Sequence, residues 1–194
     1  MPTSKELLAI ENAKKNFKEK QANEEKNLQN NCVIGIDLSK SCPGIAIMDT
    51  QMKKLIYLDN YPNTKTTHKT DHERNIEIVT WLDRICNTFH PKTAIIESAH
   101  ISSFTIKSAI PLLKLHGLID ECLLAKGMEI FEISPSSSRA FLKIKPNKKE
   151  AAFEWVKKKF PEAELNSFKK DNDKSDAIIL VLNFFNKTKL KEVK

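Results

Sequence analysis

Glycine is scarce in this chain, with four in 194 residues. A protein so poor in the residue that lets backbone wrap closely around a phosphate cannot build the glycine-rich loops of nucleotide-binding folds. The four cysteines, Cys32, Cys42, Cys86 and Cys122, include no C-x-x-C pair and no zinc spacing. With apolar residues flanking each, they read as buried thiols in a reducing compartment. His68, His72, His90 and His116 also lack ligand spacing, so a zinc centre has no basis here. No apolar run reaches the roughly 18 residues that span a bilayer. The N-terminus alternates Lys and Glu where a signal peptide carries an apolar core. These absences predict a soluble intracellular protein.

What the chain does have is basic charge. Lys and Arg number 32 against 25 Asp and Glu, for a net charge of +7, which favours an anionic partner. The surplus is uneven: ten Lys or Arg stand against four Glu between Arg139 and Lys170. Residues 1–30 differ again, being rich in Lys and Glu with only Leu7, Leu8, Ile10 and Phe17 as part of an apolar stripe. They predict a helical or flexible charged extension, followed by one domain over 31–190.

From Asn31 the pattern is that of an α/β protein. Apolar runs at Cys32 to Asp37, Gly44 to Met48 and Lys54 to Leu58, separated by short turn-like stretches, predict an antiparallel meander. His72 to Phe89 repeats apolar residues at spacings of three and four, which predicts a helix stopped by Pro91. Thr93 to Ile96 predicts a buried fourth strand that delivers Glu97. Thr105 to Lys126 predicts a long helix that Pro111 bends or restarts. Met128 to Ile133 is the fifth strand, and three helices follow: Ser136 to Leu142, Asn147 to Phe160 and Asp173 to Phe185. Trp81 and Trp155 fall on amphipathic helices as core residues. The order gives a mixed five-stranded sheet, three antiparallel strands and then two parallel ones, flanked by helices.

Four carboxylates sit at the ends of the apolar segments: Asp37, Glu97, and the pair Asp173 and Asp176. The first and fourth strands lie either side of a helical crossover, so as parallel neighbours they present Asp37 and Glu97 at one sheet edge, where α/β folds place ligand sites. Asp173 and Asp176, three apart on a helix, share a face. Taken singly, Asp37 and Glu97 also suit turn caps, Asp173 an N-cap and Asp176 a first-turn acid. If the last helix packs beside the first and fourth strands, all four converge, and their repulsion calls for cations. Oxygen-only ligands suit Mg²⁺, with Mn²⁺ as substitute. Two such ions about 4 Å apart serve phosphodiester cleavage.

The residues resemble the RuvC-like Holliday junction resolvases of the RNase H-like superfamily. The resemblance spans about residues 32 to 186: Gly35-Ile36-Asp37 closing the first strand, Ala94 to Glu97 closing the fourth, Ser108 to Gly117 with Leu112 and Leu115, and Asp173-Lys174-Ser175-Asp176-Ala177 on the last helix. It implies an RNase H-like fold and a homodimer that binds branched DNA, the four-way junction above all. It also implies paired symmetric nicks made with two Mg²⁺ ions per active site held by Asp37, Glu97, Asp173 and Asp176, inside a bacterial cell or, for a phage or virus protein, in the host cytoplasm. A lysine at the start of the penultimate helix supports binding or catalysis in this family. Lys145, Lys148 and Lys149 fall there, with Lys149 favoured. His100 and Phe104 take the place of an aromatic wedge, and Ser39 and Lys40 follow Asp37 as contacts to phosphate. Arg139 opens the basic stretch and joins the DNA-binding set. Lys148 and Lys149 lie at a helix start, where the helix dipole disfavours cations, so an anionic strand nearby supplies the reason. Lys157, Lys158 and Lys159 suit the dipole at a helix end.

Two other nuclease readings share part of this pattern: a RuvC-like transposase or recombinase component, whose opening Gly35 to Lys40 also matches, and a branched-DNA nuclease preferring flaps or forks. A sugar kinase or heat-shock ATPase relative also opens on a G-I-D strand, but needs phosphate loops that four glycines cannot supply.

Overall fold

Short apolar runs with β-branched residues form three antiparallel strands in the computed structural model, which describes residues 31–63, 70–99, 106–144 and 148–192. These are β1, Cys32–Asp37, β2, Gly44–Asp49, and β3, Leu55–Asn60. Helix α1, Asp71–Phe89, starts from a reciprocal cap in which the Thr70 hydroxyl accepts from the Glu73 N–H and the Glu73 carboxylate accepts from the Thr70 N–H. It ends at His90, whose left-handed backbone at φ 48° precedes Pro91. Strand β4, Thr93–Glu97, leads to α2, Ile106–Ala125. Strand β5, Glu129–Ile133, leads to α3, Pro135–Ala140, capped by the Ser134 hydroxyl. Helices α4, Lys149–Lys159, and α5, Phe168–Glu192, complete the chain, with a 3-10 turn at Pro161–Ala163 between them.

The sheet order is β3-β2-β1-β4-β5. The first three strands are antiparallel and β4 and β5 run parallel to β1, so the expected RNase H-like mixed sheet is present. Every residue of β1 and β2 is buried, because both faces are covered. Successive side chains therefore divide between two cores. Ile34, Ile36, Ile45, Ile47, Ala94 and Ile96 pack with Ile78 and Leu82 of α1 and Leu115, Ile119 and Leu123 of α2. Val33, Ala46, Met48 and Ile95 pack under α4 and α5, against Phe153, Val156 and the run Ala177 to Val181.

Two expectations are corrected. Helix α5 begins at Phe168, five residues before Asp173. Its start is fixed by Asp171, whose carboxylate accepts from the N–H groups of Asn166 at 2.8 Å and Ser167 at 3.2 Å. The polar run that follows carries no apolar period, so it hid this first turn. Helix α2 runs through Pro111 as one element. Strand β3 also extends to Asn60, two residues beyond its predicted end.

Candidate active site

Strand register brings the sheet acids together. Ile36 of β1 pairs with Ile96 of β4, so Asp37 and Glu97 are the next residues on adjacent parallel strands. Asp37 pairs across to Gly44 of β2, and Gly44 to Asn60 of β3. One row at this sheet edge thus reads Glu97, Asp37, Gly44, Asn60.

Glycine lets the helix acids reach that row. A Cβ on Gly44 would lie 2.3 Å from the carbonyl oxygen of Asp173, and one on Gly35 would lie 2.3 Å from that of Ala177. The α5 backbone therefore rests directly on β2 and β1 one turn apart, with Asp173 and Asp176 facing Asp37. The apolar run from Ala177 to Val181, at most 1% exposed, holds it there. Each fully buried Ile, Leu or Val contributes about 1.5–3 kcal/mol. The residues from Ile178 to Val181 together outweigh the several kcal/mol by which clustered carboxylates repel.

The electrostatics are those of crowded acids. Burial drives the Asp37 carboxyl well above the ordinary range, and the charges of Glu97, Asp176 and Asp173 act in the same direction. Burial also raises Glu97, against a hydrogen bond with Asp37 and the opposing charges of Lys149 and Arg139. Asp173 is raised by burial too, with the nearby Lys149 opposing. Burial works against the charge of Lys149, yet Asp176, Asp37 and Glu97 together raise it above the usual lysine range.

Two cations reach Asp176, which is 5% exposed. Lys149 Nζ lies 2.9 Å from Asp176 Oδ2, and Arg139 Nη1 lies 3.5 Å from the same oxygen. Neither is aligned as a hydrogen-bond donor, so Asp176 Oδ2 and Arg139 Nη1 are both buried without a hydrogen-bond partner. A buried carboxylate oxygen with bonding capacity to spare, among acids that repel one another, fits a hard cation bound through oxygen. Among the described residues no group of three or more His, Cys, Asp or Glu is drawn together at metal-holding separation. Here the ammonium of Lys149 and the guanidinium of Arg139 offset the acids.

The remaining predicted residues take varied positions. Ser39 accepts from the Cys42 N–H at 2.9 Å, closing the β1–β2 turn. Lys40 is ion-paired to Asp71 at 2.7 Å, and buried Arg74 donates to the Lys40 carbonyl at 2.7 Å, tying this turn to α1. Arg139, expected in the DNA-binding set, lies 3.5 Å from Asp176 through Nη1. Lys148 is exposed at the start of α4. His100, Phe104 and Lys145 lie outside the described residues, as does the extension over 1–30.

Two residues at the site escaped the sequence reading. Burial and the charge of Asp173 push the Cys42 thiol up to about 11, and Asn60 Nδ2 donates to Cys42 Sγ at 3.1 Å. A cysteine with apolar neighbours and an asparagine at a strand end carry no pattern that marks them. Only the row through Gly44 brings them to the acids. A cavity of about 400 Å³ lies elsewhere, between α1 and α2, and none of the four acids lines it.

This fold is shared with known nucleases. Thermus thermophilus RuvC in complex with a Holliday junction substrate is similar at a TM-score of 0.66 and 15% identity, over 81% of this chain and 94% of that one. The yeast mitochondrial Holliday junction resolvase gives 0.58 at 14% identity, over 81% and 78%. The fowlpox virus resolvase with its substrate Holliday junction DNA gives 0.56 at 17% identity, over 81% and 98%. At these identities the likeness is one of fold. No curated protein matches by sequence. The family model described as crossover junction endodeoxyribonuclease RuvC matches residues 33–183, a span that takes in both glycine contacts and all four acids. The chain belongs to the crossover junction endodeoxyribonuclease RuvC family.

Proposed function

We propose that this chain is a Mg²⁺-dependent, structure-selective endonuclease that resolves four-way DNA junctions by paired symmetric nicks, acting as a homodimer. The observation that carries this reading is the meeting of Asp37 and Glu97 at the end of two parallel strands with Asp173 and Asp176 on a helix seated over them. Asp37 and Glu97 would hold divalent metal from the sheet, and Asp173 with Asp176 from the helix. When bound, Mg²⁺ supplies Lewis-acid stabilisation of charge on the phosphoryl oxygens. Mn²⁺ is the expected substitute.

The chain's own residues divide the remaining work. Lys149, with a side chain 45% exposed, is poised to exchange Asp176 for a DNA phosphate once metal neutralises the acids. Arg139, at 14%, stays in the site and holds Asp176. Lys148 faces solvent beside them and adds a phosphate contact. Buried Arg74 keeps the turn after Asp37 in place from behind.

Asp37→Asn tests the reading, with cleavage compared on four-way junction, three-way junction, flap and linear duplex. The native chain is expected to cut the four-way junction at symmetric positions in Mg²⁺. The variant is expected to lose cleavage and keep junction binding in Ca²⁺. Surviving cleavage, or binding lost along with it, would count against the metal role. Equal cleavage of flaps would favour a broader branched-DNA nuclease.

A further inference from the structure

The turn between β1 and β2 leaves the sheet at Asp37 and re-enters it at Gly44, so its residues stand at the edge where the acids meet. Its backbone is fixed from behind. Arg74, 3% exposed, donates from Nη2 to the Lys40 carbonyl at 2.7 Å and also to the Asn63 carbonyl. Asn63, 4% exposed, donates its backbone N–H to the Ser41 carbonyl at 2.7 Å and its Nδ2 to the Arg74 carbonyl at 2.9 Å. One buried guanidinium thus locks together the turn, the chain after β3 and the start of α1. The Lys40 ammonium is bound differently. It reaches Asp71 Oδ1 at 2.7 Å, in a pair whose side chains are 22% and 51% exposed.

Building on the nuclease reading, we propose that Asp71 is a placeholder for DNA: it holds the Lys40 ammonium in the free chain and yields it to a backbone phosphate flanking the cleavage site when the junction seats. An ion pair open to solvent is weak, so a phosphate can displace it. Asp71 keeps its compensation after the exchange, because Arg74 Nη1 lies 3.6 Å from the same Oδ1. It is also the first residue of α1, where the helix dipole favours an acid. Lys40 in turn keeps its place, because Arg74 and Asn63 hold the turn's backbone at Lys40 and Ser41. Only the lysine side chain has to move, so little order is lost on binding. Lys149 is paired inside the four-acid site, on Asp176. Lys40 is paired outside it, so its release does not wait on the acids and can be read from binding alone.

The test uses the full chain and a fluorescently labelled four-way junction, with anisotropy read in Ca²⁺ across a salt series and melting temperature as a check on folding. Asp71→Asn is expected to bind about two- to fivefold tighter, the strength of a solvent-exposed pair. Lys40→Ala is expected to bind more weakly and to lower the slope of log binding constant against log salt by about 0.9, one phosphate contact. Lys40→Arg, which keeps the charge, should restore that slope. The changes Asp71→Asn and Lys40→Ala combined should bind as Lys40→Ala alone does, because Asp71 acts only through Lys40. A gain from Asp71→Asn that persists without Lys40 is a general effect of net charge and overturns the exchange, as does a native slope in Lys40→Ala. A native chain that fails to bind the junction overturns the nuclease reading and the exchange together. A native chain that binds it, with affinity unchanged in Asp71→Asn, overturns the exchange alone.

Discussion

Asp37 is buried among three other acids, and that placement has a cost that pH should reveal. Its carboxyl is raised well above the ordinary range in the folded chain, so between about pH 4 and the folded value the native state binds more protons than the unfolded one. Metal-free stability must then fall as pH rises through that window, by about 1.4 kcal/mol for each pH unit crossed. Glu97 and Asp173 are raised as well and add to the same slope. Asp37→Asn removes the largest contributor. Without metal it should melt higher than the native chain at pH 8 and show a flatter decline from pH 5 to 8. Parallel melting curves for the two proteins would refute this. Lys148 and Lys149, adjacent in sequence, should also separate by experiment. Lys148→Ala should reduce the slope of log binding constant against log salt by about 0.9, one phosphate contact. Lys149→Ala should lower the cleavage rate more than it lowers affinity. An unchanged salt slope in Lys148→Ala would exclude it from the DNA contact. The sequence marked all four acids because Asp37 and Glu97 close apolar runs and Asp173 and Asp176 stand at the start of one. It could not separate the basic residues into those facing the acids and those facing solvent, since Arg139 and Lys148 differ only in where the fold points them.

At the scale of elements, the seating of α5 on β1 and β2 decides whether a site exists. The contact is backbone against backbone at Gly44, and at Gly35 it adds the Val181 side chain, whose Cγ2 would lie 2.7 Å from a Cβ there. Gly44→Ala places a methyl 2.3 Å from the Asp173 carbonyl oxygen and 2.4 Å from its carbon, so helix and strand must part at the position that carries the acid. Overpacking of this kind costs about 1–3 kcal/mol. The denaturant midpoint should fall accordingly and Mg²⁺-dependent cleavage should fall further, because the displacement occurs within the site. Native-like cleavage in Gly44→Ala would mean that α5 tolerates being lifted from the sheet. The strands and the crossover were legible because periods of two and of three to four recur in them. The first turn of α5 was not, since Lys169, Lys170, Asp171 and Asn172 show no apolar period and the signal that starts the helix is a side chain reaching back to Asn166 and Ser167. At Pro111, packing of Leu115, Ile119 and Leu123 into the core keeps α2 one element past a residue that bends or restarts a helix.

The whole molecule has two sides of unequal finish. On the α5 side the core is closed by α4 and the 3-10 turn. On the other, α2 buries Leu115, Ile119 and Leu123 but leaves Ile110, Leu113 and Leu124 between 39% and 61% exposed. At 100° per residue these three fall on one face, together with Gly117, around which a Cβ would meet open space. The cavity lined by His72 and Asn75 of α1 and by Pro111, Lys114, Gly117 and Leu118 of α2 opens beside them. An apolar ridge next to a notch suits a self-complementary two-fold contact, in which each copy offers the same patch to the other. The proposed paired nicks would require two active sites on one junction, so a contact here would join the proposed homodimer to the proposed reaction. Ile110→Lys with Leu113→Lys would bury unpaired charge in such a contact and leave the monomer's two cores untouched. Sedimentation at micromolar concentration should shift from dimer to monomer, with melting temperature falling only by the loss of association. Cleavage of a four-way junction should then change in kind, from two coordinated nicks to single nicks that leave the junction unresolved. A native chain that sediments as a monomer while still making paired nicks would break the link between this face and resolution.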